Sequence, residues 1–67
     1  MNLKNVNNMK KIIQAIPVEI FQVNGLFFYK LTTNREGVIT SWKGWNSETK
    51  ALMYAEKAIE NYWYVGH

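Results

Sequence analysis

Ser41, Ser47, Glu56, Glu60 and His67 are the side chains whose types invite a catalytic reading. A hydroxyl nucleophile needs a base within hydrogen-bond reach. The one histidine is His67, the final residue, and there is no cysteine. Ser41 and Ser47 are better explained as a strand residue and a helix cap. Glu56 and Glu60 stand one helical turn apart, but the pattern turns them to solvent. A domain this small leaves little room for a cleft in which two carboxylates could converge. No catalytic residue is therefore expected, and the chain reads as a non-enzyme. The same inventory argues against a metal site: no thiolate, no internal imidazole and no aspartate is present. Gly25, Gly37, Gly44 and Gly66 are isolated turn glycines rather than a phosphate loop. Neither a cofactor nor a small-molecule substrate is expected.

What remains is binding by aromatic and cationic side chains, and its location depends on the elements that carry them. Residues 18–23 are β-prone, with Ile12 to Ile16 a less certain extension across Pro17, whose missing N–H favours an edge position or a later strand start. Asn24-Gly25 then signals a type I′ hairpin turn. Residues 26–33 form the second strand. Asn34-Arg35-Glu36-Gly37 is the next turn, with Gly37 suited to a left-handed bulge position. Residues 38–42 form the third strand. Asn46-Ser47 offers helix caps, with Glu48 favourable to the helix dipole in the first turn. From Thr49 to about Tyr62, Ala51, Leu52, Ala55, Ala58, Ile59 and Tyr62 recur at helical spacing as one apolar stripe. The expected fold is α+β: a three-stranded antiparallel meander with one C-terminal helix packed on one face (β-β-β-α). Residues 1–9 read as a flexible leader and 10–67 as the single domain, its order ending at Gly66.

A single helix covers only one face of such a sheet. Alternation places Phe27, Tyr29, Leu31, Ile39 and Ser41 under the helix, and Phe28, Lys30, Thr32, Val38, Thr40 and Trp42 on the free face. The outward residues then pair as Thr32 with Val38, Lys30 with Thr40 and Phe28 with Trp42. The expected partner-binding set is Phe28, Lys30, Thr40, Trp42 and Lys43. An alternative keeps that face covered, by residues 12–16 or by the aromatic tail 63–65.

The stretch from Val18 to Asn61 resembles the YegP-like family of small β-β-β-α proteins. The resemblance is carried by Val18-Glu19-Ile20-Phe21, Asn24-Gly25, Phe27-Phe28-Tyr29-Lys30-Leu31, Gly37-Val38-Ile39, Gly44-Trp45-Asn46-Ser47, Ala51 and Ala58-Ile59. Members occur as tandem repeats or paired single copies, so the resemblance implies a homodimer for a lone copy. It assigns no biochemical role. Trp42 stands where that family tends to have a small residue, and Phe28 where it tends to have a basic one. A second likeness is to the three-strand-plus-helix DNA-binding domains of tyrosine-recombinase arms and plant ethylene-response factors, which set the bare sheet face in the major groove.

Composition sets the remaining bounds. A 67-residue chain buries only about 60% of its unfolded surface, so its stability is marginal without disulfides, metals or oligomerisation. The net charge of +3 comes from eight Lys and Arg against five Glu, with one doublet, Lys10-Lys11. Dedicated nucleic-acid binders concentrate their charge more strongly. No apolar run reaches the roughly 18 residues of a membrane span, and the absence of cysteine fits a reducing compartment, so cytoplasm is expected. The leading reading is an interaction module binding a protein partner or a second copy, of a size suited to a phage- or bacterium-encoded inhibitor or adaptor. The alternative is DNA or RNA binding by the same face, with Lys30, Arg35 and Lys43 on phosphates and Phe28 or Trp42 stacking.

Overall fold

A computed structural model describes residues 8–65, the side chain of Val65 excepted. Most of the expected leader (1–7), the expected stop at Gly66, and His67 lie outside the described residues. The chain runs β1 (Met9–Ile13), β2 (Ile16–Val23), β3 (Leu26–Thr33), β4 (Gly37–Thr40) and α1 (Glu48–Val65). The strands form one antiparallel sheet in the order β1-β2-β3-β4. The expected α+β class and C-terminal helix hold, but the sheet has four strands rather than three. The additional strand opens at Met9, the last residue of the expected leader.

The hidden strand has a local cause. Gln14 and Ala15 make the two-residue turn between β1 and β2, and both hold positive φ, 49° and 69°. Left-handed backbone costs non-glycine residues roughly 1–2 kcal/mol each, which is why such turns normally carry Asn and Gly. Gln-Ala gives no turn signal, so two strands read as one segment. Tertiary contacts hold the turn. The register Met9↔Ile20 and Ile13↔Ile16 packs Met9 and Ile13 against the core, and the Trp63 indole N–H donates to the Gln14 carbonyl at 3.1 Å. Replacing Gln14-Ala15 by Asn-Gly relieves both strained residues. We expect stabilisation of about 1 kcal/mol, seen as a melting temperature raised by about 4–8 °C. An unchanged or lower melting temperature would show the turn to be unstrained.

Pro17 was expected to force an edge strand or a later start, yet it lies within β2, the second of the four strands. It pairs with Ile12 of β1, while the pairing of β2 with β3 begins only at Val18↔Leu31. In a two-residue hairpin closed by Ile13↔Ile16, the next pair makes no backbone hydrogen bonds, so the missing N–H costs the β1 ladder nothing. The turn at Asn24-Gly25 has φ of 53° and 83°, as a type I′ turn requires, and Gly37 holds φ 71° at the expected bulge.

The helix packs over β2 and β3. Ser47 caps it, its Oγ accepting from the Lys50 N–H at 3.0 Å. Ala51, Ala55 and Ile59 are 0% exposed and meet Ile16, Val18, Ile20 and Leu31 of the sheet. Alanine at two of three contact positions lets the helix backbone sit close to the strands. Residues 63–65 continue the helix instead of folding across the far face, and 12–16 lie within the sheet and its first turn. Neither segment covers the helix-free face.

Candidate interaction surface on the helix-free face

The register arranges the free face in rows across the strands. One row pairs Ile12 with Pro17 and Thr32 with Val38. The next runs Lys10, Glu19, Lys30 and Thr40. The third pairs Phe21 with Phe28, and Val23 with Leu26 closes the surface beside the turn. The outward pairs Thr32–Val38 and Lys30–Thr40 form as expected. Ile12 is 71% exposed and Val38 60% exposed. Phe21 and Phe28 stack at 5.7 Å with an interplanar angle of 19° and are half-buried.

The middle row sets Lys10 and Lys30 against the single carboxylate of Glu19. Lys30 Nζ lies 3.3 Å from Glu19 Oε1, and the Asn8 amide donates to Glu19 Oε2 at 2.6 Å. Among the described residues Glu19 is the one carboxylate on this face. Glu36 lies in the β3–β4 turn, and Glu48, Glu56 and Glu60 lie on α1.

The expected pairing of Phe28 with Trp42 does not occur. The Ser41 N–H still donates to the Tyr29 carbonyl at 2.9 Å, but the next bonded pair is Phe27 with Trp45, whose N–H···O distances are 2.7 and 2.9 Å. Three residues, Trp42, Lys43 and Gly44, thus stand opposite the single residue Phe28, as an enlarged bulge. Ser41 stitches it: its buried hydroxyl accepts from the Tyr29 N–H at 3.2 Å and donates to the Lys43 carbonyl at 2.9 Å. The residue lying on the Phe28 ring is Gly44. An added Cβ there would fall 2.7 Å from Phe28 Cζ and 2.8 Å from Leu26 Cβ. Trp42 is thrown out to 92% exposure and lines a groove toward α1 with Trp45, Tyr54 and Lys57, away from the place beside Phe28 that alternation assigned it. Alternation fails at this point because it assumes a one-to-one register, and a three-for-one bulge breaks that register.

The three cations expected to meet phosphates do not converge. Lys30 is paired with Glu19. Arg35, in the β3–β4 turn, sits 4.7 Å over the Tyr62 ring and donates from Nε to the Tyr62 hydroxyl at 3.3 Å. Lys43 belongs to the bulge. The Arg35 hydrogen bond lowers the Tyr62 phenol below the ordinary tyrosine value, because it favours the phenolate. Burial raises that of Tyr29, by disfavouring its charged form.

Sequence reasoning missed three contributors. Ile12 lay in the less certain extension. Phe21 faces out by the same alternation that buries Val18 and Ile20. The third is an aromatic stack on the helix side, in which Tyr29 lies 5.9 Å from Trp45 and Trp45 lies 4.8 Å from Tyr54. Tyr54 falls one position off the alanine stripe, so periodicity alone marks it as exposed.

Among the described residues no cluster of three or more His, Cys, Asp or Glu could hold a metal, and no helix is long and apolar enough to cross a membrane. In comparisons with known proteins, no family model, no curated sequence and no solved structure matches this chain.

Proposed function

We propose that this chain is a non-catalytic interaction module that binds a protein partner through the helix-free face of its sheet. The observation that carries the reading is the row Ile12–Pro17 and Thr32–Val38, left open to solvent and separated from the Phe21–Phe28 pair by the row that holds the Glu19–Lys30 ion pair. Contiguous exposed apolar surface on a small domain marks an interaction site. Burying Ile12 and Val38 would contribute about 1.5–3 kcal/mol each, less the part already buried. The balanced Glu19–Lys30 pair fits a protein partner, since a phosphate-binding face gains from unpaired cations. Lys30, Thr40 and Phe28 belong to this surface, with Trp42 and Lys43 at its margin. The nucleic-acid alternative rests on Lys30, Arg35 and Lys43, whose separate engagements give it less support. A role as an inhibitor or adaptor, working in the cytoplasm, suits a domain offering contact surface and no catalytic constellation. The likeness of residues 18–61 to the YegP-like family remains part of the same proposal and assigns no partner.

Site-specific photo-crosslinking tests the reading. A photoreactive side chain at Ile12 or Val38 should give a discrete protein adduct in cells, and one at Glu56 on the outer side of α1 should not. The Ile12→Glu variant, folded by its melting curve, should lose the Val38 adduct. Equal adducts from the helix control, or an RNA or DNA adduct in place of protein, would sink it.

A further inference from the structure

Charge is unevenly placed on the helix-free face. Its middle row sets Lys10, Glu19 and Lys30 side by side across β1, β2 and β3. Both Glu19 oxygens are engaged, one by Lys30 at 3.3 Å and the other by the Asn8 amide at 2.6 Å. Among the described residues Lys10 and Lys11 have no ion-pair partner, and both are exposed. The strand that carries them, Met9–Ile13 (MKKII), holds no carboxylate of its own. Both lysines line a groove of about 580 Å³, together with Ile12, Pro17, Glu19 and Lys30. Three cations thus surround an apolar patch that contains one carboxylate, and clustered charge of one sign attracts its opposite.

We infer that the partner enters this groove with an acidic segment, seating one large apolar side chain on Ile12 and Pro17 and placing carboxylates on Lys10 and Lys11. The inference rests on the helix-free face being the binding surface, and adds the chemistry of what that face takes. Complementary charge selects the occupant: two cations without a carboxylate partner stand beside exposed apolar groups. Spacing narrows it further. Lys10 and Ile12 lie two residues apart on one face of a strand, roughly 7 Å. An acidic and an apolar residue two apart in a strand, or three to four apart on a helix, come close to that distance. A nucleic acid fits the groove less well. Its evenly charged backbone, laid along the middle row, would pass over Glu19, whereas a protein sets its carboxylates at one place only. Among the described residues no aromatic ring lines the groove for a base to stack on.

Photo-crosslinking from Val38 in cells, repeated in charge variants of the full chain, tests it. Lys10→Glu with Lys11→Glu should cut the adduct yield about tenfold, since attraction becomes repulsion. Lys50→Glu with Lys57→Glu on the helix, an equal change in net charge, should leave the yield unaltered. The first double variant sets a carboxylate opposite Glu19, which disfavours the strand pair. Should it lose its cooperative melting curve, Lys10→Gln with Lys11→Gln should still lower the yield about threefold. Mass spectrometry of the adduct should find at least two Asp or Glu within four residues of a large apolar residue. A synthetic peptide of that sequence should bind the chain in fluorescence anisotropy, and more weakly as salt rises from about 50 to 500 mM. With its carboxylates changed to lysine, the peptide should prefer the Lys10→Glu, Lys11→Glu chain to the unaltered one. An adduct whose yield ignores both lysine variants, or whose segment lacks carboxylates, would overturn the acidic partner and leave the face as the binding surface. An adduct to nucleic acid or to a second copy of this chain would overturn it equally. No adduct from Ile12 or Val38 in the unaltered chain would remove the face, and this inference with it.

Discussion

Gly44→Val should lower the melting temperature by about 10–20 °C, the equivalent of about 2–3 kcal/mol in a domain of this size. The backbone of Gly44 lies against Phe28 and Leu26, and an added Cβ would stand 2.7 Å from Phe28 Cζ, 2.9 Å from Phe28 Cε1 and 2.8 Å from Leu26 Cβ. Its φ lies outside the left-handed region, so the requirement is close approach and not backbone freedom. Neither neighbour yields easily. Leu26 Cβ is fixed to the strand backbone, and the Phe28 ring is stacked on Phe21. Relief therefore requires the bulge to lift, with loss of the Phe27–Trp45 hydrogen bonds. Combining Gly44→Val with Phe28→Val should recover part of the loss, because the two sites share one contact and their effects cannot be additive. A melting temperature unchanged within about 2 °C, well under the shift for 1 kcal/mol, would show that the bulge moves freely.

The larger effect is expected at Ile59→Ala. Ile59 is 0% exposed, between Ala55 on the helix and the sheet residues Ile16, Val18, Ile20 and Leu31. Truncating a buried isoleucine costs about 2–5 kcal/mol, with the upper part of that range reached where the surroundings cannot collapse. Ala55, one turn before it on the buried stripe, has only a methyl group and cannot reach into the gap. Domains of this length hold only about 3–10 kcal/mol in total. The variant should therefore be largely unfolded near 37 °C, losing its near-ultraviolet circular dichroism and its cooperative transition. A cooperative transition shifted by less than about 5 °C, the effect of roughly 1 kcal/mol, would mean that the helix repacks without this residue.

Much of the fold was legible because local physics decided it. Asn24-Gly25 dictates a type I′ turn and adopts one. Ser47 caps the helix, and the stripe Ala51, Ala55 and Ile59 lies wholly buried. Phe27, Tyr29 and Leu31 pack toward the helix, as alternation requires. Two departures share one cause. The turn at Gln14-Ala15 and the three-residue bulge at 42–44 are conformations that their own residues do not favour or announce, and long-range contacts hold them. Trp63 bonds to Gln14 across 49 positions, and Ser41 to Tyr29 across 12.

The sequence by itself determined the class, the helix, the second and third turns, and the two faces of β3, since each follows from steric preference or apolar period within a few residues. Tertiary structure alone decided that Met9–Ile13 adds a fourth strand, that Pro17 lies inside the sheet, and that Trp42 leaves the face for the margin. Register is a non-local quantity: it depends on which backbone partners lie opposite, and no window of residues along one strand contains that information.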